Sequence, residues 1–273
     1  MNLHVVHGGI GKQVAFTSIL NKLSDKICIA SPWGNVFLNH PMVESVYPDF
    51  GYGAYDMNKF FKSFENIIYT EPYYGPFLKG EMHLIEAYHE KLNLKCDGLY
   101  HTVTFSEEEL HYYSKFIEEL GDYILVQFNG SDVDFNKPLN ELGARNVDIN
   151  LAQQIINVLA LDLNKKVIEV NNGQQQFKNT FTLRKQPEYR EYLVMARYCQ
   201  SFIGIDSCLN HMSAFKDNPK KGVVLWRDSE YGKLFEYSHN TNIYSSLPLQ
   251  MKFNINEVIE NVFSLCSNSQ DRI

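Results

Sequence analysis

The feature that most constrains this chain is a unit that occurs twice: an apolar run, an abrupt polar or glycine-rich turn, an amphipathic helix and a second apolar run. The clearer copy lies late in the sequence. Ser201-Phe202-Ile203-Gly204-Ile205 reads as a buried strand that stops at Asp206. Asp206 has the chemistry of a helix N-cap, with Ser207 beside it. Leu209, Met212 and Phe215 then recur at near-helical spacing, and Val223 to Trp226 is the next strand. The other copy opens the chain. Leu3 to Val6 is a strand, His7-Gly8-Gly9-Ile10-Gly11-Lys12 a glycine-rich turn, Phe16, Ile19, Leu20 and Leu23 a helical stripe, and Ile27 to Ala30 a strand. Strands joined by helical crossovers run parallel and are covered on both faces.

The rest of the chain continues the alternation. Val43 to Tyr47 extends the first half. Ser106-x-x-Glu109 is a capping box that opens a helix reaching Leu120. Tyr123 to Phe128 is an apolar strand, Asp148 to Leu161 a helix, Lys166 to Val170 a strand, and Pro187 fits the first turn of a helix running to about Tyr198. The last clear element is a helix from about Ile255. The expected fold is α/β, with two Rossmann-type domains whose parallel sheets face each other across a cleft. The expected division is 1–120 and 121–273, with the last helix free to pack back on the first domain.

A helix that follows a parallel strand directs its first amide N–H groups, and the positive end of its dipole, to the carboxyl edge of the sheet. That geometry suits an anion, most often a diphosphate. A cap that holds no ligand satisfies the same spacing. The glycine turn at 8–11 allows close backbone approach to a ligand. It is neither G-x-G-x-x-G nor a Walker loop, so a dinucleotide or nucleoside triphosphate is not indicated.

Composition narrows the remaining classes. A net charge of −7 argues against holding nucleic acid mainly through its phosphates. The five cysteines are scattered without a C-x-x-C pair, so neither a zinc site nor a disulfide framework is suggested. No run approaches membrane-span length and no signal-peptide pattern opens the chain, so a cytoplasmic location is expected. Aromatic residues crowd 50–77, among them Phe60, Phe61, Phe64, Tyr73 and Phe77. They serve equally as a binding wall or as the cover of a small core.

The order Gly204-x-Asp206-Ser207-x-x-x-His211 resembles the donor-binding motif of glycosyltransferase family 9, the ADP-heptose:lipopolysaccharide heptosyltransferases and their relatives, which have the two-domain GT-B fold. The turn Gly8-Gly9-x-Gly11 resembles that family's N-terminal loop, and "VFLNHPMVESVY" its segment after the second strand. The chain is similar to short members carried by bacteriophages. The resemblance implies a nucleotide-diphosphate sugar as donor, no cofactor, no metal, and inverting transfer. The acceptor would be a saccharide or a modified nucleic-acid base. It places Gly9, Gly11, Asp206, Ser207, Cys208 and His211 at the donor. Ser131 and Lys137 fall where the family contacts donor phosphates, and Asn171 where it contacts base or ribose. Arg145, just before a helix, could fork onto phosphate oxygens or equally form a surface ion pair.

Two positions depart from the family. Cys208 stands where it has glycine. Lys12 stands where it commonly has an aspartate base. An ammonium can neutralise a leaving diphosphate but cannot accept a proton. A substitute base is therefore sought near the aromatic belt, with Glu81 and His83 as candidates and Glu71 and Asp56 beside them. Lys12 could equally be a solvated first-turn residue. The departures also leave two other functions open, a non-catalytic nucleotide-sugar binding protein and a nucleotide-sugar epimerase.

Overall fold

The computed structural model describes residues 1–47, 57–73, 75–130, 146–170, 177–183, 185, 187–246 and 251–267. Its first half contains β1 (Asn2–Val5), α1 (Ile10–Phe16), β2 (Ile27–Ala30), β3 (Val43–Tyr47), α2 (Met57–Phe61), β4 (Asn66–Tyr69), α3 (Gly75–Leu78), α4 (Leu84–Lys91) and α5 (Glu107–Leu120). Its second half contains β5 (Tyr123–Gln127), α6 (Ile149–Asn157), β6 (Lys166–Glu169), α7 (Tyr189–Tyr198), β7 (Ser201–Ile205), α8 (Cys208–Met212), β8 (Gly222–Trp226), α9 (Ser229–Gly232), β9 (Thr241–Tyr244) and α10 (Ile255–Ser267).

The strands form two sheets, β3-β2-β1-β4 and β6-β5-β7-β8-β9, and every pairing is parallel. The expected α/β architecture is therefore present. In the first sheet the order reverses between β1 and β4. In the second it reverses between β5 and β7. At such a switch point the loops from adjacent strands leave in opposite directions and open a crevice at the carboxyl edge.

Alternation along each strand separates two faces. In the first sheet Leu3, Val5, Cys28 and Ala30 face a cluster completed by Tyr47, Phe60, Phe61 and Phe64. That part of the aromatic belt covers a small core. In the second sheet Ile124, Val126, Ile203, Ile205, Val223 and Leu225 face α6 and α10. The other faces drain into one apolar cluster that includes Val6, Ile27 and Ile29 of the first half and Leu125, Phe202, Val224 and Trp226 of the second. Residues of α1, α4, α7 and α8 complete it.

Several boundaries differ from the sequence reading. Pro187 precedes α7, whose N-cap is Glu188. The helix after β7 ends at Met212, and Phe215 instead bridges to His101. The apolar face of α10, Val258, Val262 and Cys266, packs with the second sheet. Two strands, β4 and β9, carried no sequence signal strong enough to be named. Their exposed positions, Asn66 and Tyr69 in one and Thr241 and Tyr244 in the other, mark them as edge strands without the continuous apolar run of the central ones. Among the described residues no helix is long and apolar enough to cross a membrane.

Candidate functional site

The glycine turn leaves β1 at the first switch point. Gly8 has φ +92°, in the left-handed region that favours glycine, and a Cβ there would lie 2.6 Å from Lys12 Cδ. Lys12 thus folds back over the turn. Gly9 is the N-cap of α1, and the space where its side chain would stand is open. Gln13, fully buried, holds the turn from behind: its Nε2 donates to the carbonyls of His7 at 2.9 Å and Val6 at 3.2 Å. Its Oε1 accepts from Ser31 Oγ at 2.8 Å. Sequence reasoning passed over Gln13, although a glutamine on the apolar side of a short helix was a usable signal.

On the other side of this switch point is the end of β4. Thr70 is tied to β1, donating from N and Oγ1 to the Val5 carbonyl at 3.1 and 2.8 Å. Glu71 follows. Its carboxylate is 3.2 Å from Lys12 Nζ, and Lys91 Nζ donates to its carbonyl at 2.9 Å. The Lys12 ammonium also sits 3.9 Å from the centre of the Tyr73 ring. Lys12 is therefore directed into a carboxylate and an aromatic face.

The second switch point differs in detail from the sequence expectation. The N-cap of α8 is Ser207, not Asp206, and its side chain makes no capping bond. The helix has five residues, so little macrodipole accumulates. One of its first amides is already used: Leu209 N donates to Gln127 Oε1 at 3.1 Å. Gln127, at the end of β5, caps α8 from the neighbouring strand, and its Nε2 reaches Cys208 Sγ at 3.5 Å. Burial raises the Cys208 thiol, so it is held neutral. Asp206 is only 6% exposed and its charge contributes to raising the Tyr237 hydroxyl, which burial raises most.

The two switch points meet through their helices. A Cβ on Gly11 would stand 2.6 Å from His211 Cδ2 and 3.5 Å from Cys208 Cα. Gly11 and His211, both expected at the donor, face each other across the α1–α8 contact. His211 Nδ1 is 2.8 Å from Tyr237 Oη, and burial lowers its pKa to about 3. Tyr237 also meets His83, at 5.0 Å between ring centres. His83 caps α4, with Nδ1 accepting from Ile85 N at 3.1 Å. Burial lowers its pKa to about 4, so it is a neutral, enclosed imidazole. Glu81 lies on the exposed turn before α4. Beside the junction, the Trp33 ring of the first half stands edge-on to Tyr189 of the second at 4.4 Å.

A buried guanidinium reinforces the junction. Arg190 donates to both Glu109 carboxylate oxygens, at 2.5 and 2.8 Å, and to the carbonyls of Asn35 at 2.9 Å and Thr104 at 2.7 Å. Burial alone would raise the Glu109 carboxyl, but Arg190, the Ser106 N–H and Asn39 outweigh it and hold it below its ordinary value.

Ser131, Lys137, Arg145 and Asn171, as well as Asp56, lie outside the described residues. Among the described residues no group of three or more His, Cys, Asp and Glu is placed to hold a metal ion. A separate groove of about 740 Å³ follows α5, between Tyr112, Phe116, Glu119 and Lys185, and none of the sequence-derived site residues lines it.

No protein-family model matches the chain, and no curated protein sequence does. Solved structures do match over nearly the whole length. A glycosyl transferase family 9 protein from Veillonella parvula aligns with a TM-score of 0.68 at 12% identity, over 98% of this chain and 97% of the other. The E. coli heptosyltransferase WaaC with ADP aligns with a TM-score of 0.63 at 11% identity, over 97% and 99%. E. coli ADP-heptose lps heptosyltransferase II also gives 0.63, at 12% identity over 99% and 100%. At such identities the likeness is one of architecture, and what it establishes is that this chain has the two-sheet α/β fold of the GT-B heptosyltransferases.

Proposed function

We propose that the protein is an enzyme, a glycosyltransferase that moves a sugar from a nucleotide-diphosphate sugar to an acceptor hydroxyl. The observation that carries this reading is the convergence of two switch points on one helix contact, α1 against α8. One is edged by an open glycine turn and a lysine–carboxylate pair, the other by Asp206-Ser207-Cys208. The fold is shared with proteins solved with ADP and with ADP-2-deoxy-2-fluoro heptose. In this reading residues 1–120 carry the acceptor side and 121–273 the donor side.

The donor diphosphate would lie at the carboxyl edge of β5 and β7, against the backbone of Ser207 and Cys208. Gln127 fixes the start of α8, and Asp206 is buried at the turn before it. Transfer would be inverting, with the acceptor attacking from the face opposite the diphosphate. The acceptor would be a saccharide or a modified nucleic-acid base. Preorganised protein dipoles and cations would stabilise the departing diphosphate in place of a metal.

A thermal-shift screen over ADP-, UDP-, GDP- and CDP-sugars tests this, because a ligand that binds the native state raises the melting temperature according to its affinity. The expected result is a shift with one nucleotide family and release of that nucleoside diphosphate. A shift without release, over a broad acceptor panel, would favour a binding protein. Interconversion of free donor without acceptor would favour an epimerase.

A further inference from the structure

Glycosyl transfer to a hydroxyl needs a group that takes the hydroxyl proton, and the residue next to the glycine turn is a lysine. We infer that Glu71 is that proton acceptor and that Lys12 is its positioning residue. The inference rests on the transferase reading above.

Four observations favour Glu71 over its neighbours. First, it stands at the switch point of the first sheet, directly after Thr70, which is bonded to β1, and it is joined to the glycine turn through Lys12. Ligands of parallel sheets bind at this place. Second, it is fixed. Thr70 anchors the backbone before it, Lys91 holds its carbonyl, and Lys12 holds its carboxylate at 3.2 Å. A proton acceptor works when its own geometry is set before the substrate arrives. Third, it is reachable: its side chain is 34% exposed, and that of Lys12 is 22% exposed. Fourth, the alternatives are worse placed. His83 is 3% exposed and its Nδ1 is committed to the start of α4. Glu81 is on an exposed turn, and none of the ties that hold Glu71 to β1 and Lys12 reaches it.

The acceptor O–H bond breaks and its proton goes to a Glu71 carboxylate oxygen. The acceptor oxygen bonds to the anomeric carbon of the donor. The bond from that carbon to the diphosphate oxygen breaks, and its electron pair leaves with the nucleoside diphosphate. Lys12 takes no proton in this scheme. Its ammonium, held over the Tyr73 ring, keeps the carboxylate turned towards the glycine turn.

The test uses the full chain with ADP-heptose, ADP-glucose and UDP-glucose, reading nucleoside diphosphate release with water or a saccharide pool as acceptor. Glu71→Gln should lower kcat by about 100-fold or more, the range of a lost general base. KM and the thermal shift with donor should stay within about twofold of the wild type. Glu71→Asp should retain part of the rate. Glu71→Ala should regain rate in proportion to added formate, which a merely structural role would not give. Full activity in Glu71→Gln, with wild-type turnover intact, overturns the assignment of the base alone. The same holds if Glu71→Ala loses activity that formate does not restore while its melting temperature is unchanged. No donor binding and no release by the wild type overturns both the assignment and the transferase reading.

Discussion

The imidazole of His211 occupies the volume that a side chain at position 11 would need: a Cβ on Gly11 would stand 2.6 Å from His211 Cδ2. Gly11→Ala must therefore push α1 and α8 apart or displace a ring bonded to Tyr237. Overpacking of this kind costs roughly 1–3 kcal/mol. Chemical denaturation should show that loss, whereas Gly9→Ala, with open space at the Cβ position, should cost under about 1 kcal/mol. Equal losses in the two variants would contradict the packing described.

Removing Arg190 leaves Glu109 partly buried beside the carbonyls of Asn35 and Thr104. Breaking one partner of a buried pair costs about 3–5 kcal/mol. Arg190→Ala should fall in that range by urea unfolding. A double variant, Arg190→Met with Glu109→Leu, should recover part of the loss, since no unpaired charge remains, but not all of it, because the Ser106 N–H and the carbonyls of Asn35 and Thr104 lose their partners.

Acid should weaken the fold well above the carboxylate range. Burial lowers His4, His83 and His101 from 6.5 to about 4, and His211 to about 3. Between those values and 6.5 the unfolded chain binds more protons than the folded one. Stability therefore falls as pH drops through 6.5 towards 4, and the contribution is constant above 6.5. Each ring adds up to about 1.4 kcal/mol per pH unit in that window. Melting temperatures at pH 7.5, 6 and 5 should fall in order, and His101→Asn should flatten the trend. A level profile would mean that these rings take up protons in the folded protein as readily as in the unfolded chain.

Gln13→Leu removes the donor that gathers the carbonyls of Val6 and His7 beneath the glycine turn. A buried acceptor left without its partner costs about 1–3 kcal/mol. Donor binding should weaken with stability in this variant. Leu20→Met, in the same core but clear of the turn, should lose stability alone.

Ser207→Ala and Asp206→Ala separate contact from support. Because Ser207 makes no capping bond, its loss should leave the melting temperature unchanged and weaken the donor by a few-fold. Asp206→Ala should weaken the donor more, and lower stability as well, because the carboxylate is buried. Titration of the donor into both variants, beside a melting curve, decides this. Unchanged donor affinity in a folded Asp206→Ala protein would count against the site.

Much of the fold could be read from strand and helix periods, since central strands such as β5, β7 and β8 are apolar throughout and helices such as α5 carry their caps in sequence. Two edge strands, β4 and β9, were not legible, because half of each faces water. The site was legible only as places along the chain. Ser106-x-x-Glu109 announced a capping box, but nothing local announced that Glu109 would also receive Arg190, 81 residues later. Likewise Asp206-Ser207 looked like a self-capping turn, while the cap came from Gln127 on another strand. Glu71 was one acidic residue among several until the pairing of β4 with β1 set it beside Lys12. Contacts made by topology have no local signature.

The pairing of His101 with Phe215, the Arg190 bonds and the continuous apolar cluster have a mechanical consequence. Rocking one sheet against the other would tear a backbone bridge and expose oily surface, so substrates would have to enter through loop movement around a stiff frame. A calorimetric scan of such a molecule should give one endotherm, and a protease cut near Gly121 should release no autonomous half.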